Sequence, residues 1–419
     1  MRIVHLNHSD INGGAARAAY RIHHALLNSG VDSRMMVNMA TSGDWTVQGP
    51  TSAQAKLATQ LRALVGALPG LMLHPKDPTI HSASILPSRW PQRLNTTDVE
   101  IVHLHWVGKE MLSVADIGRI RKPIVWTLHD MWAFCGAEHY VQDLRWREGY
   151  HRENRPTHES GLDLNRWTWL RKRGHWRKPM YIVAPSRWLA DCVRESALMK
   201  RWPVAVVPNA LDTERWRPLP RPLARDMLSL PRDKRLLLFG AMGGGHKDPR
   251  KGFDLLLGAL EQLQGQIQDL QLVVFGQLAP RQPPDMGLPI HYIGHLHDDL
   301  SLRVLYSAAD ALVVPSRQDN LPNTGVEAHA CGTPVIAFAT GGLPDIVSHK
   351  ETGWLAQPFD TEDLAQGIRW VLADPDRQIR LREQARVKAV RRFAPQVVAK
   401  MYRAIYEEVI CQSQLDESP

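Results

Sequence analysis

Two carboxylates eight residues apart, Asp319 and Glu327, lie within the stretch Pro315 to Val347, PSRQDNLPNTGVEAHACGTPVIAFATGGLPDIV. A carboxylate accepts hydrogen bonds from a pair of sugar hydroxyls. A helix start behind a parallel strand offers backbone N–H groups and a positive dipole end to a phosphate. An amide cradle flanked by two such acids is what a nucleoside diphosphate sugar requires. The local pattern positions them. Ala311 to Pro315 is a short apolar run of the kind that forms a strand covered on both faces, and the chain then turns through Ser316 to Asn323. A helix is predicted from Asn323, which can cap it. It carries Glu327 in its early turns and stops at Cys331-Gly332, where glycine suits a left-handed exit. Thr333-Pro334 leads into a second strand, Val335 to Phe338.

Three other clusters carry chemistry. Behind the first predicted strand, Asp10-Ile-Asn-Gly-Gly-Ala-Ala-Arg17 places Gly13 and Gly14 where the backbone can approach a ligand at a helix start. A dinucleotide fingerprint needs a third glycine and an acid after the second strand, and neither is present, which argues against a nicotinamide enzyme. After the strand Leu237 to Gly240 come three adjacent glycines and then Asp248-Pro-Arg-Lys-Gly252. Lys251 there offers a compact charge to a diphosphate, with Arg250 beside it. Because Lys251 is followed by Gly252 and not by Ser or Thr, the stretch is not a Walker loop. In Thr127-Leu-His-Asp-Met-Trp132, His129 and Asp130 fall at the carboxyl end of a strand, where open α/β sheets collect ligands. His129 can donate to a sugar hydroxyl or to a developing charge. His103 and His105 alternate along a buried strand and read as structural.

The elements that must hold these residues alternate strand and helix throughout, which predicts two doubly wound parallel sheets. Strands are expected at residues 3–7, 34–37, 101–104, 124–127, 181–184 and 204–207, then at 236–239, 272–275, 290–293, 312–314 and 335–338. The proline- and arginine-rich run Arg215 to Pro222 separates the two sets. The expected organisation is a domain over 1–214, a linker over 215–230, a second domain over 231–390, and a segment 391–419 whose helix crosses back to the first domain. That helix opens at Pro395 and buries a stripe of Val398, Met401, Tyr402, Ile405 and Val409.

The 419 residues, 44% of them hydrophobic, suffice for two cores. No run of eighteen apolar residues occurs, and Met1 to Asn7 reads as a strand and not as a signal peptide, so a cytoplasmic location is expected. The four cysteines, Cys135, Cys192, Cys331 and Cys411, are scattered without metal or disulfide spacing. The net charge of +8 is concentrated in Leu144 to Lys178, which holds ten Lys or Arg against four acids together with Trp146, Trp167, Trp169 and Trp176. That mixture suits an anionic lipid surface, single-stranded nucleic acid or an anionic acceptor. It equally suits a solvated connection whose tryptophans pack locally. Residues 51–72 are amphipathic, with Leu57, Leu61, Leu64, Val65 and Leu68 on the apolar side, and read as a helix on its own domain or on a membrane.

Taken together, Gly13-Gly14, His129-Asp130, Ala184-Pro-Ser-Arg187, Val207-Pro-Asn-Ala210, Arg250-Lys251-Gly252 and the acidic pair Asp319 and Glu327 resemble glycosyltransferase family 4. These are retaining enzymes of the GT-B architecture, in which two Rossmann-like domains face each other across a cleft. The resemblance covers essentially the whole chain. Thr127 to Trp132 and Asp248 to Gly252 look most like the bacterial exopolysaccharide, colanic acid and O-antigen branch. The resemblance implies that Glu327 holds the ribose, and that Asp319 with the amides of Asn320 and Leu321 holds the transferred sugar. Lys251 and Arg250 would meet the diphosphate, with Asn323 and Thr324 completing the donor site. Gly13 and Gly14 would approach the donor phosphate from the opposite domain, and His129 would sit beside the reacting sugar. It implies no cofactor and no metal. The acceptor would be lipid-linked or a polysaccharide at the inner membrane surface, with peripheral contact to anionic lipid and no role for nucleic acid. Two departures stand out: the first acid is Asp319 where the family has Glu, and Gly240 is followed by Ala241 where many relatives carry arginine, leaving His246, Lys247 or Arg250 as substitutes. The rival readings are a sugar-nucleotide epimerase on the same architecture and a noncatalytic binder of sugar nucleotide or nucleic acid.

Overall fold

The computed structural model describes residues 1–72, 79–240, 248–282, 286–296 and 298–416. The chain divides into two compact units, residues 1–210 with 398–419, and residues 211–397.

The first unit is built on β1 (Arg2–Ser9), β2 (Asp32–Met39), β3 (Val47–Gln48), β4 (Ile101–Leu104), β5 (Ile124–Thr127), β6 (Tyr181–Ala184) and β7 (Val204–Val206). They form one all-parallel sheet in the order β3-β2-β1-β4-β5-β6-β7. Both faces are covered, which is why these strands read as continuous apolar runs. Val4, Leu6, Val102, Leu104 and Trp126 point into one core. Ile3, Ile101, Val125 and Val183 point into the other, shared with Val398, Tyr402 and Tyr406 of the helix Pro395–Asp416. That helix buries Val398, Tyr402, Ile405, Tyr406 and Val409. Met401, expected in the stripe, is exposed, because one side of the helix meets the sheet and Met401 lies off it.

The second unit carries β8 (Arg235–Gly240), β9 (Leu270–Phe275), β10 (Ile290–Gly294), β11 (Ala311–Val314), β12 (Val335–Phe338) and β13 (Gly353–Ala356) in the all-parallel order β10-β9-β8-β11-β12-β13. Two strands, β3 and β13, were not foreseen. β3 has two residues, and β13 is a four-residue edge opening on glycine, so neither leaves a periodic signal. The stretch read as a linker, 215–230, lies inside the second unit. Its helix Arg221–Met227 is anchored by the buried Arg225, whose guanidinium pairs with Asp310 at 2.7 Å and donates to the carbonyl of Ala308 at 3.0 Å.

The basic, tryptophan-bearing segment divides its side chains between core and solvent, with Arg147, Arg152, Arg173, Arg177 and Lys178 exposed. Trp146, Trp169 and Trp176 are buried, as are Arg145 and Lys172. Arg171 donates to the carbonyls of Ala83 and Ser84 at 2.7 and 2.9 Å. Three of the four indoles thus line the core of the first unit, while Trp167 stays at the surface. The helix Ala53–Ala67 behaves in the opposite way: it buries none of its residues. Arg62 tethers it through the carbonyls of Leu86, Pro87 and Glu110, while Leu57, Leu61, Leu64 and Val65 stay exposed.

Candidate functional site

In the second unit the loop after β11 and the turn before the helix Phe253–Gln262 are held as one piece. Gly252 adopts φ +65°, and a Cβ there would lie 1.9 Å from the carbonyl oxygen of Pro315. Only glycine permits that approach. Arg317 closes the same seam. Its N–H donates to the carbonyl of Arg250 at 2.7 Å, and its guanidinium forks onto Asp254 at 2.7 and 2.6 Å.

This seam brings two predicted residues together: Lys251 Nζ donates to Asp319 Oδ2 at 2.6 Å. Asp319 is mostly buried, while Lys251 is 42% exposed and open to a ligand. The backbone of Asp319 is pinned from the other side, where its carbonyl accepts from the Gly342 N–H at 2.9 Å. Gly341, at φ +54°, leaves the same carbonyl room that a Cβ at 2.2 Å would remove. The Gly341-Gly342 pair thus serves Asp319 directly.

The helix Asn323–Ala330 begins behind this loop. Its cap is Pro322 and not Asn323, and the proline has no side-chain acceptor to offer. The proline fixes φ and leaves Asn323 and Thr324 as the first turn, whose N–H groups have no acceptor inside the helix. Asn320 and Leu321, on the approach to it, are buried. Glu327 is also buried and accepts from the Tyr306 hydroxyl at 3.2 Å. A carboxylate oriented in this way by a phenol is a stiff acceptor. Gly332 takes the expected left-handed φ of +71°. Arg250 turns to Asp248, at 3.1 and 2.7 Å. Ala241, His246 and Lys247 lie outside the described residues.

In the first unit Gly13 has φ +98° and precedes the helix Gly14–Asn28, at the carboxyl end of β1. His129 follows β5 at the same end of the sheet. Its ring is partly exposed, with Nε2 3.1 Å from His105 Nδ1, and burial lowers its pKa to about 4. Asp130 bonds His139 Nδ1 at 2.6 Å and accepts from Trp106 Nε1 at 2.9 Å. Burial pushes its pKa up, but the contacts with His139 and the Trp132 N–H outweigh this and hold it below the ordinary carboxylate value.

Sequence reasoning missed the residue that shapes this loop. Lys172, fully buried, sends its ammonium to the carbonyls of Trp132, Cys135 and Gly136 and lies 3.9 Å over the Trp132 ring. Burial draws its pKa down to about 7, against the support of nearby acidic groups. A lysine in a run of basic residues gives no sign that it faces inward.

Two parallel, doubly covered Rossmann-like sheets define an α/β protein of the GT-B fold. Residues 12–215 match the model described as Glycosyltransferase Family 4, and residues 244–388 match Glycosyl transferases group 1. The chain belongs to the GT-B glycosyltransferases of family 4. It is 32% identical over 252 residues to a D-inositol 3-phosphate glycosyltransferase of Xylanimonas cellulosilytica, covering 54% of this chain and 58% of that protein. The chain thus spans little more than half the length of that relative. It is 25% identical over 374 residues to an MMP alpha-(1→4)-mannosyltransferase of Mycolicibacterium hassiacum, covering 87% of this chain and 82% of the other. Among solved structures, HepE of Anabaena in complex with UDP and glucose aligns with TM-score 0.64 at 16% identity, over 97% of this chain and all of that one.

Proposed function

We propose that this protein transfers a sugar from a nucleotide-sugar donor to a lipid-linked or oligosaccharide acceptor in cell-surface polysaccharide synthesis, with retention and without a metal. The observation that carries the reading is the 2.6 Å pairing of Lys251 with Asp319 beside the start of the helix that holds Glu327. The relatives' names, inositol-phosphate glycosyltransferase and mannosyltransferase, and the UDP bound by HepE support a sugar-nucleotide donor. In this reading Glu327 accepts from the ribose hydroxyls and Asp319 from the transferred sugar. Arg250, the first-turn N–H groups and Gly13-Gly14 belong to the donor site, and His129 sits beside the reacting sugar. Lys251 stabilises the charge that develops on the diphosphate, the task a metal ion would otherwise perform. The bond from the anomeric carbon to the leaving phosphate oxygen breaks, and the acceptor oxygen bonds that carbon on the same face. The acceptor's hydroxyl proton passes to the departing phosphate oxygen.

Titration of nucleotide sugars into the protein and assay of acceptor-dependent nucleoside diphosphate release test this. Glu327→Ala should weaken donor binding roughly 10- to 100-fold, the worth of hydrogen bonds to a charged group. Asp319→Ala should depress turnover more than binding. Small and equal effects from both would count heavily against the assignment.

A lipid-linked acceptor at the cytoplasmic face of the inner membrane fits the exposed leucines of Ala53–Ala67. No helix among the described residues is long and apolar enough to cross a membrane. Vesicles containing anionic lipid should pellet the wild-type protein. Replacing Leu57, Leu61 and Leu64 together with glutamate should lower that partition by about 100-fold or more, given the apolar area withdrawn. Equal pelleting of the two proteins would dismiss the membrane role.

A further inference from the structure

Three histidines of the first unit, one on β1 and the others just past the ends of the neighbouring β4 and β5, form a continuous chain of imidazoles. His5 on β1 places Nδ1 2.9 Å from Nε2 of His105, and Nδ1 of His105 lies 3.1 Å from Nε2 of His129. His5 and His105 are buried, and their rings stack at 5.2 Å; those of His105 and His129 stack at 5.4 Å. A neutral imidazole carries one N–H and one bare nitrogen, so a chain of three has only two consistent proton arrangements.

The ends of the chain select between them. At the inner end, His5 Nε2 is buried and meets no hydrogen-bond partner. A buried N–H without an acceptor is the rarer and costlier defect, so the bare nitrogen belongs there. The protons then sit on Nδ1 of His5, Nδ1 of His105 and Nδ1 of His129, each of the first two donating outward. We infer that His105, backed by His5, is a positioning residue that fixes His129 as the Nδ1–H tautomer and so makes it a hydrogen-bond donor toward the sugar. The inference rests on the reading of His129 as the group beside the reacting sugar.

Burial, reinforced by the neighbouring histidines, holds His5 and His105 far below the ordinary histidine pKa, so both remain neutral. His103 stands outside the chain, because its two nitrogens are taken by the hydroxyls of Tyr406 and Thr127, each at 2.7 Å. His5, His103 and His105 do lie close enough, with ligand atoms within 4.8 Å, to share a metal ion. Such an ion would take one nitrogen from each ring and so would displace one of the two hydroxyls on His103.

Nitrogen NMR of the full-length protein labelled in histidine reads the tautomer without any sugar nucleotide. His129 should show a protonated Nδ1 and a bare Nε2. His105→Phe keeps a buried ring but removes the donor; His129 should then move toward Nε2–H, and kcat should fall roughly 10-fold, the worth of one hydrogen bond, with donor KM changed less than about twofold. His105→Gln, whose amide can donate, should restore most of both readouts. Should His105→Phe not fold, His5→Phe is expected to produce the same tautomer shift through His105. A wild-type His129 protonated on Nε2, a His129 spectrum unmoved by either substitution, or a stoichiometric metal ion lost with His105 would overturn the inference. An intact tautomer in a protein that binds no sugar nucleotide would instead count against the proposed function.

Discussion

Lys251→Ala should lower kcat/KM for the nucleotide-sugar donor by about 100- to 1,000-fold, the range seen when one preorganised donor to a developing negative charge is removed. The loss should fall mainly on kcat, because charge grows on the diphosphate as the glycosidic bond breaks. Lys251 is 42% exposed, so melting should change little. Lys251→Arg should restore little of the rate. Asp319 accepts a single hydrogen bond from a compact ammonium at 2.6 Å, and a planar fork cannot occupy that place and the diphosphate's together. Because the two side chains touch, the double substitution Lys251→Ala with Asp319→Ala should cost less than the sum of the singles. Additive losses in steady-state kinetics would mean that the pair acts as two independent groups.

Gly252→Ala is expected to be among the most damaging single methyls in the second unit. The new carbon would sit 1.9 Å from the Pro315 carbonyl oxygen, a backbone atom that cannot swing aside, and the residue would be left at φ +65°. Steric overlap plus left-handed strain should cost several kcal/mol, lowering the melting temperature by roughly 10 °C. Activity should also fall at temperatures where the variant remains folded, since relief of the clash must part the seam that carries Lys251 to Asp319. Gly258→Ala provides the contrast. It lies in the helix Phe253–Gln262, and its added carbon would meet only the Thr361 side chain at 3.4 Å. That change should be neutral or stabilise by up to about 1 kcal/mol. Equal melting of the two variants would show that the Gly252 contact is not a constraint.

Much of the fold was legible because a sheet covered on both faces writes itself as short apolar runs between helical periods. β4, β5, β6 and β12 have the expected bounds. What could not be read was set by contacts distant in sequence. Arg317 and Asp254 look like surface charges until their fork is seen, and Gly252 looks like a turn residue until the Pro315 oxygen appears beside it. The same limit applies to the basic segment. Charge count along the chain carries no information on direction, and Lys172 points inward to three carbonyls while Trp167 alone of four indoles is exposed. His103 and His105 announced burial by alternation, but the link from His105 to His5 joins strands whose pairing only the sheet order reveals.

The hydroxyls of Tyr402 and Tyr406, which hold Thr127 and His103, come from residues made long after the strands they cover. During synthesis on the ribosome, residues 1–210 emerge with Ile3, Ile101, Val125 and Val183 lacking their lid until the segment from Val398 arrives. The nascent first unit therefore waits, with a greasy flank bare, for the whole second unit to be translated. Its need for chaperones should be set by that delay and not by its own length.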